Sequence, residues 1–118
     1  MNFKSTKTFT ERKTEADRIL TKYPDQVPII CEKVAGNKDL PEMDKFKFLV
    51  PKDLTLGQFM YVIRNRMKLS PEKAIFLFVG KNVPSSSELI GSIYHNYRDA
   101  DGFLYVIYSG ENTFGFEK

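Results

Sequence analysis

The sequence predicts an α+β fold, in which a four-stranded mixed sheet is crossed by one main helix and preceded by a helical extension. Two segments repeat their apolar residues at helical spacing, and four extended runs are rich in β-branched and aromatic residues. The second helical segment stands between the second and third extended runs. With 118 residues the chain is long enough for one hydrophobic core. We expect a helical extension over 1–26, a core domain over 27–110 and a flexible tail over 111–118.

The first helix is predicted from four residues at positions i, i+3, i+4 and i+7, which are Ala16, Ile19, Leu20 and Tyr23. Thr8 and Glu11 fit a capping box at its start. Pro24 ends it, because the residue before a proline is pushed out of the α region. Residues 1–8 show no period, so no element is predicted there.

Two strands and the main helix are predicted next. Residues 27–34 (VPIICEKV) and 46–50 (FKFLV) are extended runs, joined by a polar loop over 35–45 with turn residues. The main helix begins at Thr55, and its buried face is predicted to contain Leu56, Phe59, Met60, Ile63 and Met67.

The last part of the chain predicts two interior strands around a short helix. Residues 75–79 (IFLFV) and 103–108 (FLYVIY) are nearly continuous apolar runs. Between them, Ser85 and Glu88 suit a capping box before a short helix over 89–94. This order of elements is that of the ubiquitin-like β-grasp fold. The alternative is a split βαβ plait, which needs a helix between the first two strands, where the loop over 35–45 is too short and too polar.

The side chains that carry out catalysis or bind metals are scarce, so the chain is not expected to be an enzyme or to hold a metal or cofactor. Cys31 lies mid-strand and is predicted to be a buried small hydrophobe, and His95 is predicted to lie at the surface or a helix end. Asp99 and Asp101 flank Gly102 and are interpreted as turn residues. The net charge of +3 is too small to predict nucleic-acid binding, and no apolar run approaches the ~20 residues of a membrane span.

Positive charge is concentrated around the second strand and the main helix. Residues 45–68 hold six cations and one carboxylate, a net charge of +5. Phe59, Val62 and Arg66 fall along one flank of the helix, and Lys47 lies among apolar residues of the strand. This pattern is typical of a groove where an extended peptide with acidic neighbours adds a strand to the sheet edge. The pattern alone favours the alternative, a basic helix face that only solubilises the protein, because this is the usual role of a charge cluster.

Four segments resemble one known family: VPIICEK (27–33), DKFKFLVPKDLTLGQF (44–59), EKAIFLFV (72–79) and DGFLYVIYSGENTFG (101–115). They are similar to the autophagy-related eight family of ubiquitin-like modifiers, which includes the light-chain-three and GABA-receptor-associated branches. The resemblance implies cleavage by a cysteine protease after Gly115, which removes Phe116, Glu117 and Lys118. Ubiquitin-like activating and conjugating enzymes would then join Gly115 to phosphatidylethanolamine. A tail that ends in glycine can thread a narrow channel, because glycine has no side chain.

The same resemblance implies a role and a location. The protein would be cytoplasmic first and then anchored to autophagosome membranes, with the vacuole or lysosome as destination. There it would recruit cargo receptors and adaptors that carry acidic aromatic-x-x-aliphatic motifs, and no nucleic acid is expected. The sequence leaves two alternatives open: an unconjugated peptide-binding adaptor in trafficking or the cytoskeleton, and a ubiquitin-like modifier conjugated to proteins.

The resemblance also implies two peptide-binding pockets. Pocket one, which accepts the aromatic side chain, would consist of Glu15, Ile19, Pro28, Ile30, Lys47, Leu49 and Phe103. Pocket two, which accepts the aliphatic side chain, would consist of Phe48, Val50, Pro51, Leu54, Phe59, Val62 and Arg66. Gln26 and Phe46 stand where basic residues are common, so we expect a weaker dependence on acidic ligand flanks. Residues 75–79 resemble a second docking surface, although burial in the sheet explains them equally well.

Overall fold

The computed structural model describes residues 2–36 and 40–111, and these ranges contain four helices and four strands. In chain order the elements are α1 (Phe3–Thr6), α2 (Phe9–Lys22), β1 (Gln26–Lys33), β2 (Lys47–Pro51), α3 (Leu56–Met67), β3 (Phe76–Phe78), α4 (Ile90–Tyr97) and β4 (Leu104–Ser109).

The four strands form one mixed sheet in the order β2-β1-β4-β3. β1 pairs antiparallel with β2 and parallel with β4, and β3 pairs antiparallel with β4. The predicted β-grasp arrangement is therefore confirmed, with β2 and β3 at the two edges of the sheet. Each strand lies within one or two residues of its predicted run.

The two faces of the sheet bury separate hydrophobic clusters. Ile29 of β1 belongs to the larger cluster, which includes Leu56, Phe59 and Ile63 of α3. The next residue, Ile30, points to the opposite face, because side chains alternate along a strand. There it joins a smaller cluster with Phe3, Ala16 and Phe103, to which α1 and α2 contribute. The sheet thus lies between α3 on one face and the N-terminal helices on the other.

Two helices begin with a capping box, and the one at Thr8 was predicted from the sequence. The hydroxyl of Thr8 accepts a hydrogen bond from the backbone N–H of Glu11 at 3.1 Å, and the Glu11 carboxylate accepts one from Thr8 N–H at 2.9 Å. Thr55 and Gln58 repeat this arrangement at the start of α3. These caps satisfy backbone donors that have no partner within the helix.

The short helix α1 lies in a segment where no element was predicted. It begins after Asn2, whose side-chain oxygen accepts from the backbone N–H of Ser5 at 2.9 Å. A four-residue helix with one buried side chain, Phe3, leaves no periodic pattern in the sequence. Its position depends on tertiary contacts: the Phe3 N–H donates to the Glu32 carboxylate at 2.8 Å, and Lys4 pairs with Asp99 at 2.7 Å.

The predicted capping box of α4 is wrong. Its N-cap is Leu89, which makes no side-chain capping hydrogen bond, and Glu88 N–H donates to the carbonyl of Ser85 at 3.0 Å within a turn. Pairing with the preceding segment takes the place of a side-chain cap. The Ile90 N–H donates to the carbonyl of Leu54 at 2.8 Å and the Gly91 N–H to that of Lys52 at 2.9 Å. Two of the backbone donors at the start of α4 are satisfied in this way.

Candidate functional site

Within residues 2–36 and 40–111, β2 pairs with another strand on one side only, so its outer edge is available to a further strand. β2 lies at the end of the sheet and pairs with β1, where the Cys31 N–H donates to the Phe46 carbonyl at 2.8 Å. In an antiparallel pair, alternate residues direct their backbone groups toward the partner strand. The backbone N–H and C=O groups of Phe46, Phe48 and Val50 therefore point toward β1. Lys47 and Leu49 therefore direct their N–H and C=O groups away from the sheet. An extended peptide can hydrogen-bond to these groups.

The structure brings the residues predicted for pocket one together between α2 and the sheet. Lys47 Nζ of β2 lies 2.7 Å from Glu15 Oε2 of α2 and joins the two elements. Ile19 is half-buried against the cluster that contains Ile30 and Phe103. Pro28 and Leu49 are directly opposite each other in the β1–β2 register, and Leu49 keeps 38% of its surface exposed.

Phe3 belongs to the same cluster, although the pockets predicted from the sequence did not include it. Its ring centroid lies 5.3 Å from that of Phe103 and 5.9 Å from that of Phe46, and Lys47 Nζ lies 4.9 Å from the Phe3 ring centroid. The side chain is 3% exposed, so it supports the apolar surface of pocket one from below. The signal in the sequence was one aromatic residue in an otherwise polar N-terminal stretch.

Pocket two lies on the opposite face of β2, beside α3, and its residues divide into a floor and a rim. The floor is formed by core side chains: Phe48 and Val50 of β2 and Phe59 of α3 are all buried, with the Phe48 and Phe59 rings edge-to-face at 5.4 Å. The rim consists of Pro51, half-buried Leu54 and Val62, which is 42% exposed. A ligand side chain would pass between the three rim residues and contact the buried side chains of the floor.

The basic region around the groove is divided between the two faces. On the pocket-one face, the charge of Lys47 is balanced by Glu15. On the pocket-two face, Arg66 Nη1 lies 3.2 Å from Asp44 Oδ1, and Lys45 Nζ lies 5.1 Å from the centroid of the Phe48 ring. Within 2–36 and 40–111, Lys45 has no carboxylate partner. It is therefore the cation at this end of the groove that is most available to an acidic ligand.

A buried ionic network holds α2 in place above the sheet. Arg12 Nη1 of α2 lies 2.5 Å from Asp101 Oδ2, and the Tyr105 hydroxyl donates to the same oxygen at 2.5 Å. The Phe103 N–H donates to Asp101 Oδ1 at 2.9 Å. Burial and then the hydrogen bond to Asp101 raise the pKa of the Tyr105 hydroxyl, so it remains protonated as a donor. Sequence reasoning interpreted Asp101 as a turn residue, and its burial against Arg12 was missed.

The groups considered for catalysis or metal binding lie apart. Cys31 is buried in β1, and desolvation, with a smaller effect of Glu32, raises the pKa of its thiol, which keeps it unreactive. His95 is exposed in the last turn of α4. Asp99 accepts a hydrogen bond from Asp101 N–H at 3.1 Å, which confirms its turn role. The described ranges hold no cluster of His, Cys, Asp or Glu suited to a metal ion.

The predicted processing site, Gly115 with the following residues Phe116, Glu117 and Lys118, lies outside the described residues. Of the helices that are described, none is both long enough and apolar enough to span a bilayer.

Comparison with known proteins decides the family. The sequence pattern described as "Autophagy protein Atg8 ubiquitin like" matches residues 11–115. The chain belongs to the Atg8 family. It is 59% identical over 113 residues to autophagy-related protein 8 of Mycosarcoma maydis, and the alignment covers 96% of this chain and 95% of that protein. The Vanderwaltozyma polyspora protein of the same name is 56% identical over 114 residues, covering 97% and 96%.

A solved structure of the family confirms the fold. The crystal structure of Atg8 from Trypanosoma brucei matches with a TM-score of 0.88 and 48% sequence identity, and the alignment covers 98% of each chain. Both the resemblance and the β-grasp fold predicted from the sequence are thus confirmed. The chain is a ubiquitin-like protein of autophagy.

Proposed function

We propose that this Atg8-family chain is a modifier that is processed at Gly115, conjugated to phosphatidylethanolamine and used to recruit receptors to the autophagosome membrane. One observation carries the recruiting role: the free edge of β2 lies between two apolar pockets on opposite faces of the sheet. An aromatic-x-x-aliphatic peptide in extended conformation places its two anchor side chains on opposite faces, because they are three residues apart. The two anchor side chains of the motif therefore lie on the same faces as the two pockets of the groove.

The pockets that bind this motif are those predicted for it. The aromatic side chain enters the space lined by Glu15, Ile19 and Lys47 above the cluster of Ile30 and Phe103, beside Pro28 and Leu49. The aliphatic side chain enters between Pro51, Leu54 and Val62, above Phe48, Val50 and Phe59. Lys45 and Arg66 lie where acidic neighbours of the motif can pair with them.

Gly115 is proposed as the conjugation site because the family match ends at that residue. A phospholipid brings two acyl chains, which is enough for stable anchoring where a single chain is marginal. The partners in this step are a processing cysteine protease and ubiquitin-like activating and conjugating enzymes. We propose that residues 1–26 act as the helical extension, 27–110 as the ubiquitin-like core and 111–118 as the tail. The protein itself has no catalytic role and no cofactor in this scheme.

The test has two stages. The full-length chain is incubated with an Atg8-processing cysteine protease, and the intact mass is measured. The product that ends at Gly115 is then offered to the activating and conjugating enzymes with phosphatidylethanolamine vesicles. We expect loss of the three residues after Gly115, followed by transfer to the vesicles.

Gly115→Ala should block conjugation and leave peptide binding unchanged, whereas Glu117→Ala, in the removed segment, should be processed normally. A chain that resists the protease and still binds peptides would be an unconjugated adaptor. Transfer to protein lysines rather than vesicles would indicate a protein modifier.

A further inference from the structure

Phe46 extends the apolar surface of pocket one beyond Lys47. It directly precedes β2, and 44% of its surface is exposed. Its ring centroid lies 5.9 Å from that of Phe3, and Lys47 Nζ lies 5.9 Å from the Phe46 ring centroid. Phe3 is buried within the pocket-one cluster, so Phe46 is the exposed member of an aromatic pair. An aromatic side chain held at the surface beside a groove offers contact area to a ligand.

The order of the pockets along β2 determines which ligand residue meets Phe46. Pocket one is centred on Lys47 and Leu49, and the exposed rim of pocket two lies toward Pro51 and Leu54. A peptide whose aliphatic residue follows its aromatic residue must therefore run from the Phe46 end toward the Pro51 end. Its residues before the aromatic one lie beside Phe46.

The alternation of side chains separates the two preceding residues. The residue one position before the aromatic points to the pocket-two face, where Lys45 and Arg66 lie. The residue two positions before it points to the pocket-one face, and thus toward Phe46. About 6.6 Å separates alternate residues of a strand, so this side chain clears the aromatic pocket and lies above the Phe46 ring.

The charges on the two faces favour different ligand residues at these positions. On the pocket-one face the ammonium of Lys47 lies 2.7 Å from the Glu15 carboxylate, and this pairing leaves little attraction for a ligand carboxylate. An acidic side chain above Phe46 would also lose water against an aromatic ring. An apolar side chain would instead bury the exposed part of that ring.

We propose that Phe46 is a specificity-determining residue, which selects ligands with an apolar residue two positions before the aromatic one. The acidic neighbour of the motif then stands directly before the aromatic residue, opposite Lys45. This inference rests on the proposed peptide-binding function of the groove, and it adds the chemistry of one more ligand position.

The test uses two synthetic peptides with the same Asp-Trp-x-x-Leu segment, which differ only in a Leu or an Asp before that segment. Their dissociation constants are measured by calorimetry on the full chain, Phe46→Ala, Phe46→Lys and Tyr97→Ala. Tyr97 of α4 is a matched control, because it is an aromatic residue with a similar exposure of 42%. Circular dichroism checks that each variant is folded.

We expect the native chain and Tyr97→Ala to bind the Leu peptide about fivefold more tightly than the Asp peptide. Phe46→Ala should remove this preference and Phe46→Lys should reverse it. Equal binding of both peptides by the native chain, or a preference that survives Phe46→Ala, would overturn the role of Phe46 and leave the groove intact. If neither peptide binds the native chain, the peptide-binding function itself fails.

Discussion

Arg12 of α2 and Asp101, in the turn before β4, form a buried ion pair in which Nη1 lies 2.5 Å from Oδ2. The two residues are 89 positions apart in the chain, and Asp101 is completely buried. Through this pair the ubiquitin-like core fixes the N-terminal extension, and with it Glu15 and Ile19 of pocket one. The groove is therefore built from two parts of the chain, which the buried Arg12–Asp101 pair and the Glu15–Lys47 pair both join.

This network should contribute strongly to stability. Tyr105→Phe removes the hydroxyl that donates to Asp101, and we expect the free energy of unfolding to fall by about 1–2 kcal/mol. Arg12→Ala should lower it further, because it leaves the buried Asp101 carboxylate without its cation. Urea unfolding followed by circular dichroism measures both effects. Lys13→Ala, which breaks an exposed pair with Asp17, is the control and should change stability by less than about 0.5 kcal/mol. Equal effects of the Arg12 and Lys13 variants would contradict the buried network.

Peptide binding should depend on the backbone N–H of Leu49. Leu49→Pro removes this donor, which faces away from β1, and an edge strand tolerates proline where its N–H faces outward. We expect Leu49→Pro to weaken an aromatic-x-x-aliphatic peptide at least about tenfold more than Leu49→Ala does, since both variants lose the pocket side chain. Fluorescence anisotropy with a labelled peptide gives the dissociation constants of the two variants. If the alanine and proline variants bound the peptide with equal affinity, strand addition at this edge would be disproved.

The contact of Gly102 with α2 should tolerate no side chain. Its φ is +95°, and a Cβ added there would lie 2.9 Å from the Cβ of Ala16. Gly36 also has a positive φ, +83°, but a Cβ added there would have no atom within 4 Å among the described residues, its chain neighbours apart. Gly36→Ala should therefore lower the free energy of unfolding by about 1 kcal/mol, through backbone strain alone. Gly102→Ala should lower it distinctly more, because the contact with Ala16 adds to that strain. Thermal unfolding of both variants measures the difference, and a Gly102 variant as stable as the Gly36 variant would show that α2 can shift freely.

Tyr108 should make the protein less stable at high pH. Burial, and then the nearby Glu42 carboxylate, raises its pKa from the usual 10 to about 12. Between these values the unfolded chain has released the phenolic proton and the folded chain still holds it, so stability is complete below about pH 10 and falls as the pH rises. Tyr108→Phe should reduce this fall, which urea midpoints between about pH 9 and 11 would show. An unchanged pH dependence would mean that Tyr108 ionises equally in both states.

The periodic parts of the structure were predictable from the sequence. Leu56, Ile63 and Met67 repeat at helical spacing, and the structure places them on the buried face of α3. The capping box of Thr8 was also predictable, because its partner is three residues away. Ser85 and Glu88 have the same spacing, but they form a turn because backbone pairing with Leu54 and Lys52 fixes the start of α4. A local sequence motif predicts the start of a helix only where the hydrogen bonds to distant residues favour the same start.

The site was predictable from its resemblance to a family more than from its chemistry. The charge pattern left open whether Lys47 and Arg66 belong to a groove or to a solvated surface, and the structure shows both already paired with carboxylates. The roles of Phe3 and Asp101 could not be predicted, because each depends on residues far away in the chain. A buried ion pair between residues 12 and 101 leaves no periodic pattern.

The parallel pairing of β1 with β4 would set the orientation of the protein in the proposed lipid-bound state. Because β4 runs alongside β1, the chain leaves the sheet near Val34, at the end where β2 begins. Gly115 is four positions after Glu111, a reach of at most about 14 Å. A lipid joined to Gly115 would therefore hold this end of the sheet close to the bilayer. A receptor strand on β2 would then point its N-terminal part toward the membrane and its C-terminal part toward the cytoplasm.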